Sequence, residues 1–180
     1  MNAMNTHYPE PVRVEAVNRH TLAVIVDNEP GVLARISGMF SGRGYNIESL
    51  TVSETEEARH LSRITIVTTG TNAVIEQIKA QLDRLVPVHR VVDLTLQGNA
   101  IEREICLVKV AGQGEHRSEA LRLAAAFGAK SIDATLNSFV FELTGTTEEI
   151  DRFVRLMSVI GLVEICRTGI AAMGRGAQPL

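Results

Sequence analysis

The sequence predicts an α+β protein built from two ferredoxin-like βαββαβ domains in tandem. Three observations predict it. The order strand, helix, strand, strand, helix, strand is legible twice along the 180 residues. Gly70-Thr71 recurs as Gly145-Thr146, and the same offset of 75 relates Ile75 to Ile150, Ile78 to Phe153, Leu82 to Met157, Leu85 to Ile160 and Val88 to Val163, each pair apolar. The composition, 45% hydrophobic and 22% charged, is that of a globular chain long enough for two domains of about 75–80 residues.

Residues 1–18 contain Pro9, Pro11 and several polar residues without an apolar stretch, and are expected to be a disordered extension rather than a signal peptide. Residues 19–27 read as a central strand, because Leu22, Val24 and Val26 alternate with the equally apolar Ala23 and Ile25. Asn28-Glu29-Pro30-Gly31 breaks it. Pro30 suits a helix start, where a missing N–H costs little. Val32, Leu33, Ile36, Met39 and Phe40 follow at helical spacing, and Gly42 and Gly44 end the helix. Residues 46–54 form a strand, 54–60 a hairpin tip, and 61–69 the β-branched return strand. Val74, Ile75, Ile78, Leu82 and Leu85 make a second helix, stopped by Pro87, and 88–96 a fourth strand.

A linker is placed at 97–103. The second copy runs through a strand at 104–111, a helix at 118–127, a hairpin of 130–136 and 139–144, a helix at 147–160 and a strand at 162–168. Leu121, Leu123 and Phe127 are assigned to the core. The segment 170–180, with three close glycines, is read as a mobile tail. The resulting boundaries are 1–18, 19–97, 98–174 and 175–180.

Several functions are disfavoured. The net charge of −3 and scattered Lys and Arg offer no basic stripe for phosphate backbones. With 4% aromatics and no Trp, base stacking is poorly served. No apolar run reaches the roughly 18 residues of a membrane span. Cys106 and Cys166 lie in apolar runs and are read as two small buried residues in a reducing compartment; neighbouring strands would permit a disulfide.

Catalytic chemistry is thin. Asp27, Asn28 and Glu29 have no His, Cys or Lys nearby in sequence, and Gly112-Gln113-Gly114 lacks the third glycine of a dinucleotide loop. His116 is read as a solvated turn residue, and His20, His60 and His89 as structural or exposed. No ligand spacing points to a metal.

The informative segment is Asn28-Glu29-Pro30-Gly31-Val32-Leu33. A helix start presents unpaired amides and a positive dipole end, which suits a carboxylate. Gly31 lets a ligand approach the backbone, and Asn28 offers both a donor and an acceptor. The same residues also suit a plain strand-to-helix turn.

That segment, with Phe40-Ser41-Gly42-Arg43-Gly44-Tyr45-Asn46-Ile47-Glu48-Ser49-Leu50, resembles the N-terminal ACT domain of acetolactate synthase small subunits. Leu61-Ser62-Arg63 and Arg103-Glu104-Ile105 resemble the same family, and the resemblance covers about residues 20–174. It implies a homodimeric, cytoplasmic regulatory subunit without a catalytic centre of its own. Its partner would be a large catalytic subunit carrying thiamine diphosphate, Mg and FAD. It also implies activation of that partner and feedback inhibition by valine, in some members leucine or isoleucine, in branched-chain amino-acid biosynthesis. By motif position, Asn28, Gly31, Val32 and Leu33 of one protomer and Asn46 and Ile47 of the other would hold the effector. The asparagines and the amides of residues 31–33 would take its polar end, and Val32 and Ile47 its side chain. The second copy lacks this turn and is given no site. Two other readings are a free-standing ACT sensor acting on another enzyme or on transcription, and a small ferredoxin-like enzyme; the run from Arg43 to Leu50 weighs against the first.

Overall fold

A computed structural model describes residues 16–56, 60–96, 98 and 100–180. The expected extension lies outside this range up to residue 15, and so do part of the first hairpin tip and two residues of the expected linker. The first domain comprises β1 (Asn18–Asp27), α1 (Val32–Gly42), β2 (Ser49–Glu56), β3 (Leu61–Gly70), α2 (Asn72–Leu82) and β4 (Val88–Asp93). The second comprises β5 (Ala100–Ala111), α3 (Glu115–Phe127), β6 (Lys130–Ala134), β7 (Ser138–Gly145), α4 (Thr147–Ile160) and β8 (Leu162–Arg167), followed by β9 (Ala171–Gly174).

Both sheets are antiparallel and share one topology, β2-β3-β1-β4 and β6-β7-β5-β8. The central strand β1 is apolar on both faces because it is covered twice, whereas β5 buries only one face under its helices. Leu22, Val24 and Val26 meet Ile36, Phe40, Ile75, Ile78 and Leu82 under the helices. Cys106, Val108 and Val110 do the same with Phe141, Ile150, Phe153 and Met157. Each buried aliphatic or aromatic side chain contributes about 1.5–3 kcal/mol.

The internal repeat reaches down to dihedral angles. Thr71 caps α2 at φ −74°, ψ 161°, accepting from the Val74 amide, and Thr146 caps α4 at φ −74°, ψ 162°, accepting from Glu149. In α4 the Thr146 amide in turn donates to the Glu149 carboxylate, completing a capping box.

Several expectations need correction. The strand expected from Glu104 begins at Ala100, inside the expected linker, because its first four residues pair with β9. The expected tail therefore contains a strand. Ile170 and Ala172 pack on Ala23, Val67 and Leu94, so this segment covers the helix-free face of the first sheet and joins the two domains through a shared apolar core. The approach is close: Gly169 sits at φ +79°, and a Cβ there would come within 2.7 Å of Ser49 Oγ, which itself accepts from the Ile170 amide at 3.0 Å. Asn18, placed in the extension, already belongs to β1. β4 ends at Asp93 and β6 at Ala134, both short of expectation. Leu121 is exposed, while Leu123 and Phe127 do flank the core. Cys166 is exposed rather than buried. It lies opposite Leu107, the neighbour of Cys106, so the two free thiols face opposite sides of the sheet.

Candidate effector site

β1 delivers Asn28 to the end of the sheet, and Pro30-Gly31 turns the chain into α1. Gly31 is the N-cap residue, left-handed at φ 88°, ψ −6°, and contributes no side-chain cap. Its missing Cβ would touch nothing within 4 Å, so the turn is open to solvent. The first turn of α1 contains no acidic residue. Val32 donates only a long 3.4 Å bond to the Glu29 carbonyl, and the regular helical ladder starts at Arg35, bonded to Gly31 at 3.0 Å. The early amides of α1 thus stand at the positive end of the helix, with no acidic residue in its first turn. The counterpart helix differs. α3 also starts from a glycine, Gly114, but carries Glu115 in its first turn.

Asn28 is exposed. Its amide donates to the His60 carbonyl at 2.6 Å, and its carboxamide has no hydrogen bond among the described residues. Beside it, Asp27 pairs with His89 at 2.6 Å, a partner invisible in sequence because 62 residues separate them. Leu33 is 43% exposed at the mouth of the turn, whereas Val32 is buried in the core. Val32 therefore turns its side chain into the core of its own domain rather than towards the open turn where the lining role was expected.

Asn46 and Ile47 do not begin a strand; they form the loop preceding β2. That loop is pinned on both sides. Thr68 Oγ1 donates to the Asn46 carbonyl at 2.6 Å, and Glu48 N donates to the Val67 carbonyl at 2.8 Å. Tyr45 packs edge-on against Phe40, their rings 6.0 Å apart. Ile47 rests half-buried on the first core, leaving the Asn46 side chain exposed.

The two halves do not meet within one chain. Thr68 pairs with His20 and Leu61 with Asp27. Asn46 and Asn28 therefore lie at opposite ends of β1, separated by roughly 26 Å at about 3.3 Å per strand residue. Next to Thr68, His20 Nδ1 lies 2.7 Å from Asp93 Oδ2, both side chains buried, a pair unforeseen in sequence.

Among the described residues, no group of three or more His, Cys, Asp or Glu is placed to hold a metal ion, and no helix is long and apolar enough to cross a membrane. His116 is exposed beside a Gln113–Asn137 hydrogen bond of 2.8 Å.

Tandem ferredoxin-like domains, with an open Pro-Gly helix start in the first only, define an ACT-type architecture. Residues 22–90 match the family described as the AHAS small subunit-like ACT domain, and residues 103–176 match the small subunit of acetolactate synthase. The chain is 44% identical over 158 residues to the probable acetolactate synthase small subunit of Archaeoglobus fulgidus, covering 88% of this chain and 98% of that protein. It is 44% identical over 159 residues to the acetolactate synthase isozyme 3 small subunit of Escherichia coli K12, covering 88% and 96%. The crystal structure of the acetolactate synthase small subunit from Thermotoga maritima superposes with a TM-score of 0.81 at 36% identity, covering 89% and 99%. This chain belongs to the acetolactate synthase small-subunit family.

Proposed function

We propose that this chain is the regulatory subunit of acetolactate synthase, acting as a homodimer that activates a catalytic large subunit and makes it sensitive to valine. The observation that carries the reading is the uncapped, acid-free start of α1 behind a left-handed Gly31, in a chain of this family. Valine's carboxylate would take the amides of residues 31–33, with Asn28 beside them and Leu33 at the mouth. Asn46 and Ile47 would come from a second protomer, because a single chain holds them at the other end of the sheet. Thiamine diphosphate, Mg and FAD are assigned to the large subunit on the family resemblance.

Binding across two protomers would change how the dimer seats on its partner. A coupling of about 1–3 kcal/mol alters effector response several-fold to a hundred-fold, and it acts reciprocally on binding. Calorimetric titration of valine, leucine and isoleucine into the purified chain, followed by assay with the large subunit, tests the reading. Saturable binding of one of them with matching inhibition is expected. Absence of heat with all three would sink it, and so would a chain that forms acetolactate from pyruvate alone.

A further inference from the structure

On the helix-free face of the first sheet, Arg63 of β3 and Arg90 of β4 both stand opposite Ile25 of β1. The two arginines therefore share one cross-strand row, about 10 Å apart at the backbone, two strand spacings of about 4.8 Å. Arg175, in the segment after β9, comes to the same place. The three line a cleft of about 360 Å³ with Val92, Leu94 and Met173 and with Gln178, Pro179 and Leu180 of the last segment, and no Asp or Glu side chain contributes to its walls.

Among the described residues these cations have no carboxylate partner. Arg19, Arg122 and Arg167 each pair with a described carboxylate, whereas Arg63, Arg90 and Arg175 pair with none. Asp27, two residues beyond Ile25 on β1, is taken by His89. Arg63 is partly buried and donates to the Ala172 carbonyl. Burial alone pulls its guanidinium below the usual range, with no carboxylate opposing the effect. Collecting like charges and desolvating one of them is unfavourable unless an anion arrives. Guanidinium forks match carboxylate and phosphate oxygens. A carboxylate brings one negative charge and a phosphate monoester about two, so three guanidiniums are best matched by a diphosphate. The recessed shape and apolar flank suit a small molecule rather than a protein surface.

We propose that this cleft binds a small diphosphate-bearing molecule, at a site separate from the α1 turn and independent of whether that turn takes valine. Sodium pyrophosphate is titrated calorimetrically into the full chain, against sodium chloride and sodium acetate at equal ionic strength to remove screening effects. Saturable binding of pyrophosphate, tighter than of acetate, is expected. Arg90→Gln and Arg175→Gln are each expected to weaken it by about tenfold and together to abolish it. Both leave the Arg63–Ala172 bond intact, so the fold is retained, as checked by the melting temperature without ligand. An n-butyl diphosphate arm separates the sources: tighter binding than pyrophosphate indicates an organic ester lying on Val92 and Met173, and equal binding the inorganic ion. No saturable heat beyond the salt controls, or parental affinity in the double variant, overturns the proposal. Loss of large-subunit association in the double variant, without pyrophosphate binding by the parent, also overturns it, in favour of a protein acid. Valine titration of the same samples reads the other site separately.

Discussion

Asn28 and Asn46 occupy opposite ends of the same sheet, one following the last residue of β1 and the other tied through Thr68 to its beginning. One chain cannot close both around a molecule the size of an amino acid, although both carry exposed carboxamides. In a two-fold dimer each would complete the other's site.

Mixing variants tests that geometry. Asn28→Ala and Asn46→Ala dimers should each lose valine binding. In re-equilibrated mixtures, half the dimers are mixed, and each mixed dimer has one site free of both substitutions. About a quarter of the parental sites should therefore return in calorimetry. No recovery would place both asparagines in the same half-site.

Gly31 separates charge from backbone strain. At φ 88°, Asn and Asp bear similar left-handed cost, about 1 kcal/mol, but only Asp brings a negative charge to the amides. The complex with Gly31→Asp should show the same rate with and without valine, whereas Gly31→Asn should keep part of the response. Equal valine sensitivity in parent and Gly31→Asp would remove the turn from the site.

Ile170 ties the domains. Truncating it to alanine opens a cavity against Ala23, Val67 and Leu94 and should cost about 2–4 kcal/mol. Urea unfolding, followed separately in each domain, should split into two transitions. A single transition with unchanged midpoint would mean that β9 pairing alone holds the domains together.

Arg167 is the only described cation bonded to Glu104, which it grips with two bonds of 2.7 Å while reaching Asp151 at 2.7 Å. Glu104 is 4% exposed. Arg167→Ala should therefore destabilise by about 2–4 kcal/mol, the penalty of a buried carboxylate left without its cation. Replacing both residues, Arg167→Met with Glu104→Leu, should recover most of that loss in denaturant titrations.

The cysteines should behave differently. Burial pushes the Cys106 thiol from its ordinary 9.0 up to about 11, and Cys166 is exposed. A thiol reagent at pH 8 should titrate one group in the native chain and two in urea. Because the folded value of Cys106 lies above the unfolded one, its contribution to stability is complete below pH 9 and lost as pH rises from 9 to 11.

The α1 turn was legible in sequence because Asn28-Glu29-Pro30-Gly31 is local: proline fixes its own φ and glycine admits the left-handed φ that the turn requires. The repeat was legible for the same reason, since Thr71 and Thr146 cap within three residues. β9 was not, because Ala171–Gly174 has little strand propensity and is held by pairing with Ala100–Arg103, some seventy residues earlier. Exposed Cys166 was missed because β8 is an edge strand, where an apolar run no longer implies two covered faces.

The amino-acid sequence by itself determined the two βαββαβ copies, the open helix start in the first only, and the family, since these rest on periodicity, turn chemistry and contiguous motifs. Only the tertiary structure decided which distant residues share a place. It set Asn28 apart from Asn46, joined His20 to Asp93, laid Ile170 and Ala172 over the first sheet, and gathered Arg63, Arg90 and Arg175 into one cleft. Strand register and domain packing settle such pairings, and both depend on free energies summed over the whole chain rather than on any local stretch.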